Sequence, residues 1–199
     1  MRALQERILT NGQVLTSQIL KVDSFLNHQV DPQLTMEIGA AFAERFQADG
    51  VTKVLTIEAS GIHFALATAV ALGHVPFVYA KKKKATTQSA DVYTVPVHSF
   101  TRGETFQVSV SKHYLSPQDR VLIVDDFLAT GDALLGLVEL VKQSGAHLIG
   151  VGSVIEKSFQ DGRGKLEAAG VNVYSLARIG KMSPEDGITY LEEKELVSL

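Results

Sequence analysis

Val-Leu-Ile-Val-Asp-Asp-Phe-Leu-Ala-Thr-Gly-Asp-Ala, residues 121–133, is the stretch that decides the fold of this chain. Its four apolar residues, Val121 to Val124, predict a strand that is buried on both faces, as in a parallel sheet covered by helices. Asp125 and Asp126 follow this predicted strand, and a Thr-Gly turn then opens a helix with apolar periodicity. The stretch therefore predicts a strand, a loop and a helix of an α/β fold.

The residues after the predicted strand suit a phosphorylated sugar. Backbone N–H groups at the start of a helix, together with the helix dipole, bind anions such as phosphate. The paired carboxylates offer acceptors to a diol or oxygen ligands to a metal ion. In a simpler interpretation Asp125 and Asp126 only cap the next helix, but two adjacent carboxylates beside a Thr-Gly turn exceed what capping needs.

Strands and helices alternate over most of the chain, which predicts a parallel twisted sheet flanked by helices. An early helix is expected to start at Asp31-Pro32 and to stop at Gly50. Residues 2–30 before it are expected to be mostly helical and to form a small hood. Further strands are predicted at 53–57, 75–79, 147–155 and 171–177, and further helices at 62–72, 131–144 and 162–169.

Residues 80–104 break this alternation. Four lysines, Lys81 to Lys84, lead into a polar stretch, and strand-like sequences follow at 92–100 and 106–110. Long irregular loops in compact domains are often active-site lids. We therefore expect a flexible loop with a hairpin at 80–104, inserted into a single domain that spans residues 1–199.

Composition narrows the class of protein. The formal net charge is −3, whereas proteins that bind nucleic acids or membrane surfaces usually carry a basic excess. The sequence has no cysteine, which excludes disulfides, thiolate catalysis and cysteine-ligated zinc. The charged start, Met1 to Arg7, predicts neither a signal peptide nor a membrane span. We expect a cytoplasmic enzyme or regulator that binds neither nucleic acid nor membrane.

Receiver domains and Walker B strands share parts of the motif at 121–133, but its surroundings argue against both, and a dinucleotide-binding fold has no support either. A receiver domain would need four further βα units after Asp125, at roughly 30 residues each, which is more than the remaining sequence supplies. A Walker B strand would be preceded by G-x-x-x-x-G-K-[ST], and a dinucleotide-binding fold would carry G-x-G-x-x-G after its first strand. Neither pattern stands at those places.

In this strand, loop and helix context, the segment Val121–Ala133 resembles the phosphoribosyl-diphosphate motif of the type I phosphoribosyltransferases, and the resemblance covers essentially the whole chain. The segments Ile19–His28, Glu58–Ile62 and Ile155–Gln160 are similar to those of bacterial members of this family that act on xanthine. The resemblance implies the fold of that family, a homodimer, and Mg²⁺ carried with the diphosphate substrate. It also implies that xanthine and 5-phosphoribosyl diphosphate are converted to xanthosine monophosphate and pyrophosphate in purine salvage.

The same resemblance assigns residues to each substrate. Asp125 and Asp126 would accept hydrogen bonds from the ribose hydroxyls, and xanthine would contact Leu20, Asn27 and Lys157. On sequence alone, a core leucine is the favoured interpretation of Leu20. The full set for the sugar diphosphate is Asp125, Asp126, Ala129, Thr130, Gly131, Asp132, Ala133, Ala59, Ser60, Gly61 and Lys81.

Departures from the family pattern leave alternatives open. Many members carry Thr-Gly-Gly-Thr where this chain has residues 130–133, so Asp132 would repel phosphate unless its carboxylate points away. Ala129 stands where hypoxanthine–guanine enzymes carry an aspartate, which leaves Glu104 as a weak candidate for the general acid or base. The six histidines lack metal-site spacing and are expected to be structural or exposed. The alternatives are guanine, hypoxanthine or adenine specificity, or a purine-responsive regulator without turnover.

Overall fold

The computed structural model describes residues 1–83, 91–99 and 104–191, without the side chains of Lys83, Ser99 and Glu104. The helices are α1 (Arg2–Asn11), α2 (Pro32–Phe46), α3 (Ile62–Ala71), α4 (Asp132–Ser144) and α5 (Gly162–Ala168). The strands are β1 (Gln13–Val14), β2 (Leu20–Lys21), β3 (Lys53–Ile57), β4 (Phe77–Lys83), β5 (Val92–Ser99), β6 (Glu104–Ser111), β7 (Arg120–Leu128), β8 (His147–Lys157), β9 (Val173–Ser183) and β10 (Gly187–Tyr190).

Eight of these strands form one sheet in the order β10-β9-β8-β7-β3-β4-β6-β5. The five central strands, β9, β8, β7, β3 and β4, are parallel, which confirms the predicted α/β architecture. The sheet as a whole is mixed, because β10 pairs antiparallel at one end and the β5–β6 hairpin extends the other end in antiparallel fashion. β1 and β2 form a separate two-stranded sheet.

Strand β7 carries apolar side chains on both faces of the sheet, and helices cover both faces. Val121 to Val124 are all 0% exposed, and successive side chains point to opposite faces. Leu122 and Val124 pack into an apolar cluster with residues of α2 and α3, whereas Val121 and Ile123 pack into a second cluster with residues of α4. Four apolar residues in a row therefore contribute to two cores, as the sequence predicts.

Helix α2 begins where the sequence predicts. The Asp31 carboxylate accepts a hydrogen bond of 3.1 Å from the N–H of Leu34, and Pro32 occupies the first turn. Gly50 ends the short turn after α2 with φ of 65°, a left-handed conformation that glycine adopts easily. The apolar residues at helical spacing, Leu34, Ile38, Phe42 and Phe46, are buried.

The N-terminal hood (residues 1–30) differs from its prediction. Only α1 is an α-helix, so the expectation of mostly helical structure is wrong for residues 13–30. The helix ends because Gly12 takes an extended conformation, and the chain continues as the β1–β2 hairpin and a π-helical turn at Asp23–Asn27. This turn buries Phe25 and Leu26 in the core under α2 and α3, and that burial overrides helical propensity.

The hairpin predicted within 80–104 is present as β5 and β6. Residues 80–83 belong to β4, whereas residues 84–90 and 100–103 lie outside the described residues, so flexibility of this segment stays a prediction. Pro96 lies within β5, opposite Gln107 of β6, on the outermost strand of this end of the sheet. Within the described ranges, no helix is long and apolar enough to cross a membrane.

Candidate active site

The C-terminal ends of three neighbouring parallel strands, β3, β7 and β8, bring the predicted site residues together. The turn Ala59–Gly61 (the diphosphate turn) follows β3, residues 129–133 (the phosphate loop) follow β7, and Lys157 ends β8. Ligands of open parallel sheets bind at such carboxyl ends. Residues that are about 100 positions apart in the sequence therefore share one edge of the sheet.

The paired carboxylates lie inside β7, which continues to Leu128 instead of ending at Val124 as the sequence pattern suggests. Asp125 is 4% exposed, and among the described residues its Oδ1 has no hydrogen-bond partner. Burial, reinforced by the negative charge of Asp126, raises the pKa of Asp125 well above its usual range, although Lys82 opposes this. Asp126 is only half-buried, so it is the carboxylate that a ligand reaches.

The diphosphate turn lies directly against Asp125. A Cβ atom on Gly61 would stand 2.8 Å from Asp125 Oδ1 and 2.0 Å from Thr56 Oγ1, so no larger residue fits there. On its other side, the Glu58 carboxylate accepts a hydrogen bond of 2.6 Å from the backbone N–H of Lys82 in β4. The turn is thus held between β7 and β4, with Gly61 against the buried carboxylate of Asp125.

The phosphate loop leads into α4 as predicted. Gly131 has φ of +82°, and the helix starts at Asp132, so the first N–H groups of α4 have no acceptor within the helix. The Thr130 hydroxyl donates a hydrogen bond of 2.5 Å to the Asp132 carboxylate. Because that hydroxyl is engaged, the backbone N–H groups from Ala129 to Ala133 are the donors that the loop offers to an anion.

Lys157, at the end of β8, contacts the N-terminal hood. The Lys157 ammonium donates a hydrogen bond of 2.7 Å to the backbone carbonyl of Gln18, and it lies 5.3 Å from the centre of the Phe127 ring. Burial lowers the pKa of Lys157, while the nearby Asp126 carboxylate opposes that change. Asn27 is the last residue of the π-helical turn in the hood, and it is exposed to solvent.

We call Leu20, Asn27 and Lys157 the base slot, although the structure places Leu20 differently from the other two. Leu20 is 7% exposed and packs in the apolar core, which fits the interpretation favoured on sequence alone, that of a core leucine. Phe159 packs partly buried against the same core. A contact between Leu20 and a base remains a prediction.

Lys81 is not brought to the paired carboxylates of its own chain. Successive residues of a strand point to opposite faces, and Lys82 is the lysine whose charge acts on Asp125. Lys81 instead lines a cavity of about 620 Å³ beside β4 and β6, together with Lys53 and Tyr114. The sequence places a run of lysines near the site, but only the strand alternation distinguishes one lysine from the next.

His63 is a site residue that sequence reasoning missed. It lies in the first turn of α3, two residues after Gly61, and it is about half-buried. Burial lowers the pKa of His63, while the Asp126 carboxylate and the Leu26 backbone oppose that shift. Its position directly after the diphosphate turn is the sequence feature that could have indicated His63 as a site residue. The side chain of Glu104, the acid–base candidate from the sequence, lies outside the described residues.

A buried ion pair, also absent from the predictions, links the base slot to the phosphate loop. Glu156, next to Lys157, is 1% exposed and binds Arg163 through two nitrogens, with Nη2–Oε2 at 2.6 Å. Hydrogen bonds from Arg163 and Ser158 outweigh burial and lower the pKa of Glu156 to about 2. Arg163 follows Gly162, whose N–H donates a hydrogen bond of 3.1 Å to the Ala129 carbonyl.

The donor set suits a metal ion that arrives with its substrate. Among residues 1–83, 91–99 and 104–191, no three His, Asp or Glu side chains are grouped so that they would hold a metal ion. Mg²⁺ usually keeps several waters and binds through one or two carboxylates plus phosphate oxygens. The half-buried Asp126 carboxylate, next to the buried Asp125, fits that pattern.

Comparisons with known proteins agree with this geometry. A family model of the phosphoribosyl transferase domain matches residues 27–168. The chain is 68% identical over 194 residues to a xanthine phosphoribosyltransferase of Brevibacillus brevis, and the match covers 98% of each chain. It is 53% identical over 196 residues to that of Streptococcus pneumoniae, covering 98% of this chain and 100% of the relative. An adenine phosphoribosyltransferase structure from Rhodothermus marinus matches with TM-score 0.72 and 25% identity, over 89% of this chain and 99% of that one.

Proposed function

This chain belongs to the phosphoribosyltransferase family, and from that membership we propose that it transfers the phosphoribosyl group of 5-phospho-α-D-ribose 1-diphosphate to xanthine. The products are xanthosine 5′-monophosphate and pyrophosphate, a purine salvage step. The observation that carries the choice of base is the full-length similarity, at 68% identity, to an enzyme named for xanthine. The base slot supports it, because Lys157 lies at the edge of the sheet that also carries Asp126.

The sugar diphosphate is held by main-chain groups and carboxylates. Backbone N–H groups of the phosphate loop bind the 5′-phosphate, and those of the diphosphate turn bind the diphosphate. Asp126 accepts hydrogen bonds from the ribose hydroxyls, with Asp125 behind it. These bonds strengthen as positive charge develops on an oxocarbenium-like ring, so they favour the transition state. Mg²⁺ carried with the substrate would offset the charge on the diphosphate leaving group, and Asp126, with Asp125 behind it, would be the carboxylate placed to hold it.

Xanthine is recognised through its carbonyl and N–H groups. The Lys157 ammonium donates to a base carbonyl, and the Asn27 amide supplies both a donor and an acceptor. The Gln18 carbonyl, 2.7 Å from the Lys157 ammonium, fixes the direction in which that ammonium points. A nitrogen of the base then attacks carbon 1 of the sugar on the face opposite the leaving pyrophosphate.

A homodimer and a cytoplasmic location, both expected from the sequence and its resemblance, complete the proposal. Binding to nucleic acid or to membranes has no part in it.

The test is a base-by-base assay of the purified protein. It contains 5-phosphoribosyl diphosphate, Mg²⁺ and one of xanthine, guanine, hypoxanthine or adenine, and nucleotide formation is measured by chromatography. We expect kcat/KM to be highest for xanthine. An equal or higher value for another base would refute the specificity, and no product with any base would favour a regulator without turnover.

A further inference from the structure

Asp132 poses an electrostatic problem for the proposed function. It is the first residue of α4 and belongs to the phosphate loop, so a carboxylate stands where a 5′-phosphate would bind. Like charges repel, and the repulsion is strong where water is partly excluded. Some feature of the chain has to offset this charge if the loop is to bind a phosphorylated sugar.

Two groups engage the Asp132 carboxylate in the structure. Its Oδ2 accepts the Thr130 hydroxyl at 2.5 Å, and its Oδ1 lies 3.8 Å from the ammonium of Lys165 on α5. The side chain of Asp132 is 25% exposed and that of Lys165 is 36% exposed, so the pair is partly shielded from solvent. The Lys165 ammonium also pairs with Asp161 at 3.2 Å.

Lys165 contacts the backbone of the same loop. Its ammonium donates a hydrogen bond of 3.1 Å to the Thr130 carbonyl. Close backbone packing holds α5 there, since a Cβ on Gly131 would stand 2.9 Å from Gly162 Cα. Lys165, whose charge is shared with Asp161, therefore both offsets the carboxylate in the loop and restrains the peptide before Gly131.

We propose that Lys165 is a positioning residue for the sugar-phosphate site, which sets the affinity for 5-phosphoribosyl diphosphate by offsetting the charge of Asp132 and restraining the Thr130 carbonyl. The inference rests on the proposed function, because it takes the phosphate loop as the site of the 5′-phosphate. Lys165 acts through Asp132 and Thr130 and does not touch the base. The affinity for xanthine should therefore be insensitive to it.

A double-mutant cycle tests the inference in the full-length chain with Mg²⁺. Lys165→Met should raise KM and the calorimetric Kd for 5-phosphoribosyl diphosphate about tenfold, the change that an interaction of about 1.4 kcal/mol produces. Asp132→Asn alone should lower both values, and the double variant should regain most of the affinity lost in Lys165→Met. In all three variants, KM for xanthine should stay within about twofold of the parent protein.

Lys142→Met is the matched control, since this lysine is exposed in the last turn of α4 and should change neither KM. The inference is overturned if Asp132→Asn gives no recovery in the Lys165→Met background, or if KM for xanthine rises as much as that for the sugar. Melting temperatures of all variants separate a folding defect from a binding defect. If the parent protein binds the sugar diphosphate but converts no base, only the proposed function fails, because the calorimetric cycle still applies. If the parent protein does not bind it, both fail.

Discussion

The phosphate loop and the base slot are built in opposite ways. Residues 129–133 are contiguous, follow a strand whose apolar residues Val121 to Val124 are buried, and present main-chain groups whose positions depend on Gly131. The base slot combines the hood with the end of β8, and the hydrogen bond from Lys157 to Gln18 joins residues 139 positions apart. The sugar site therefore depends on local backbone geometry, whereas the base site depends on how two distant segments pack together.

This difference predicts which substrate each kind of substitution should affect. A backbone change in the phosphate loop should weaken sugar binding without altering which base is chosen. A side-chain change in the base slot should do the reverse. The ion pair of Glu156 and Arg163 connects the phosphate loop and the base slot, so removing this pair should affect both regions.

The largest expected effect is that of Gly131→Ala. A Cβ there meets Gly162 Cα at 2.9 Å, and a left-handed φ of +82° disfavours any L side chain. We expect kcat/KM for the sugar diphosphate to fall about a hundredfold, while KM for xanthine changes little. Gly170→Ala is the control, since Gly170 has φ of +76° but nothing within 4 Å of its added Cβ. If both variants lost the same activity, backbone strain alone would be the cause and the close packing on α5 would be irrelevant.

Glu156→Gln should have an intermediate effect, and the quantity that changes is the free energy of unfolding. The pKa of Glu156 is about 2 in the folded protein against 4.5 ordinarily, so its stabilising contribution is complete above about pH 5 and disappears as the pH falls towards 2. Removing it should lower the free energy of unfolding by about 2 kcal/mol at pH 7 and flatten its decline below pH 5. Urea unfolding followed by circular dichroism between pH 3 and pH 7 measures this. Glu139→Gln, an exposed residue of α4, serves as control, and an unchanged pH dependence in Glu156→Gln would contradict the assignment.

The smallest of the three effects is expected for Lys157→Ala. Loss of the ammonium removes a donor to a base carbonyl, so KM for xanthine should rise about tenfold, while KM for the sugar diphosphate should stay within about twofold. Steady-state kinetics with each substrate varied in turn provides both values. Lys181→Ala, on the exposed part of β9, is the control. Comparable rises in both KM values would remove Lys157 from the base slot.

The same contrast explains how much the sequence could predict. The β7 strand, the phosphate loop and α4 follow from periodicity and glycine placement, which act over a few residues. The π-helical turn at Asp23–Asn27 and the buried pair Glu156–Arg163 depend on contacts between segments far apart in the chain, and no local pattern encodes them. For the same reason the sequence could not distinguish Lys81 from Lys82, although strand alternation places the charge of Lys82 on Asp125; binding of the sugar diphosphate by Lys81 stays a prediction.

Pro96 has a consequence for the behaviour of the protein at high concentration. It lies in β5, the outermost strand at one end of the eight-stranded sheet, where Val95 and Val97 on either side of it are buried. The outer edge of such a strand is a template for intermolecular β-pairing, and a proline in the strand has no backbone N–H to donate to another strand. Pro96 thus places in this edge strand a residue that offers no donor to an incoming strand, a feature by which natural edge strands resist edge-to-edge aggregation.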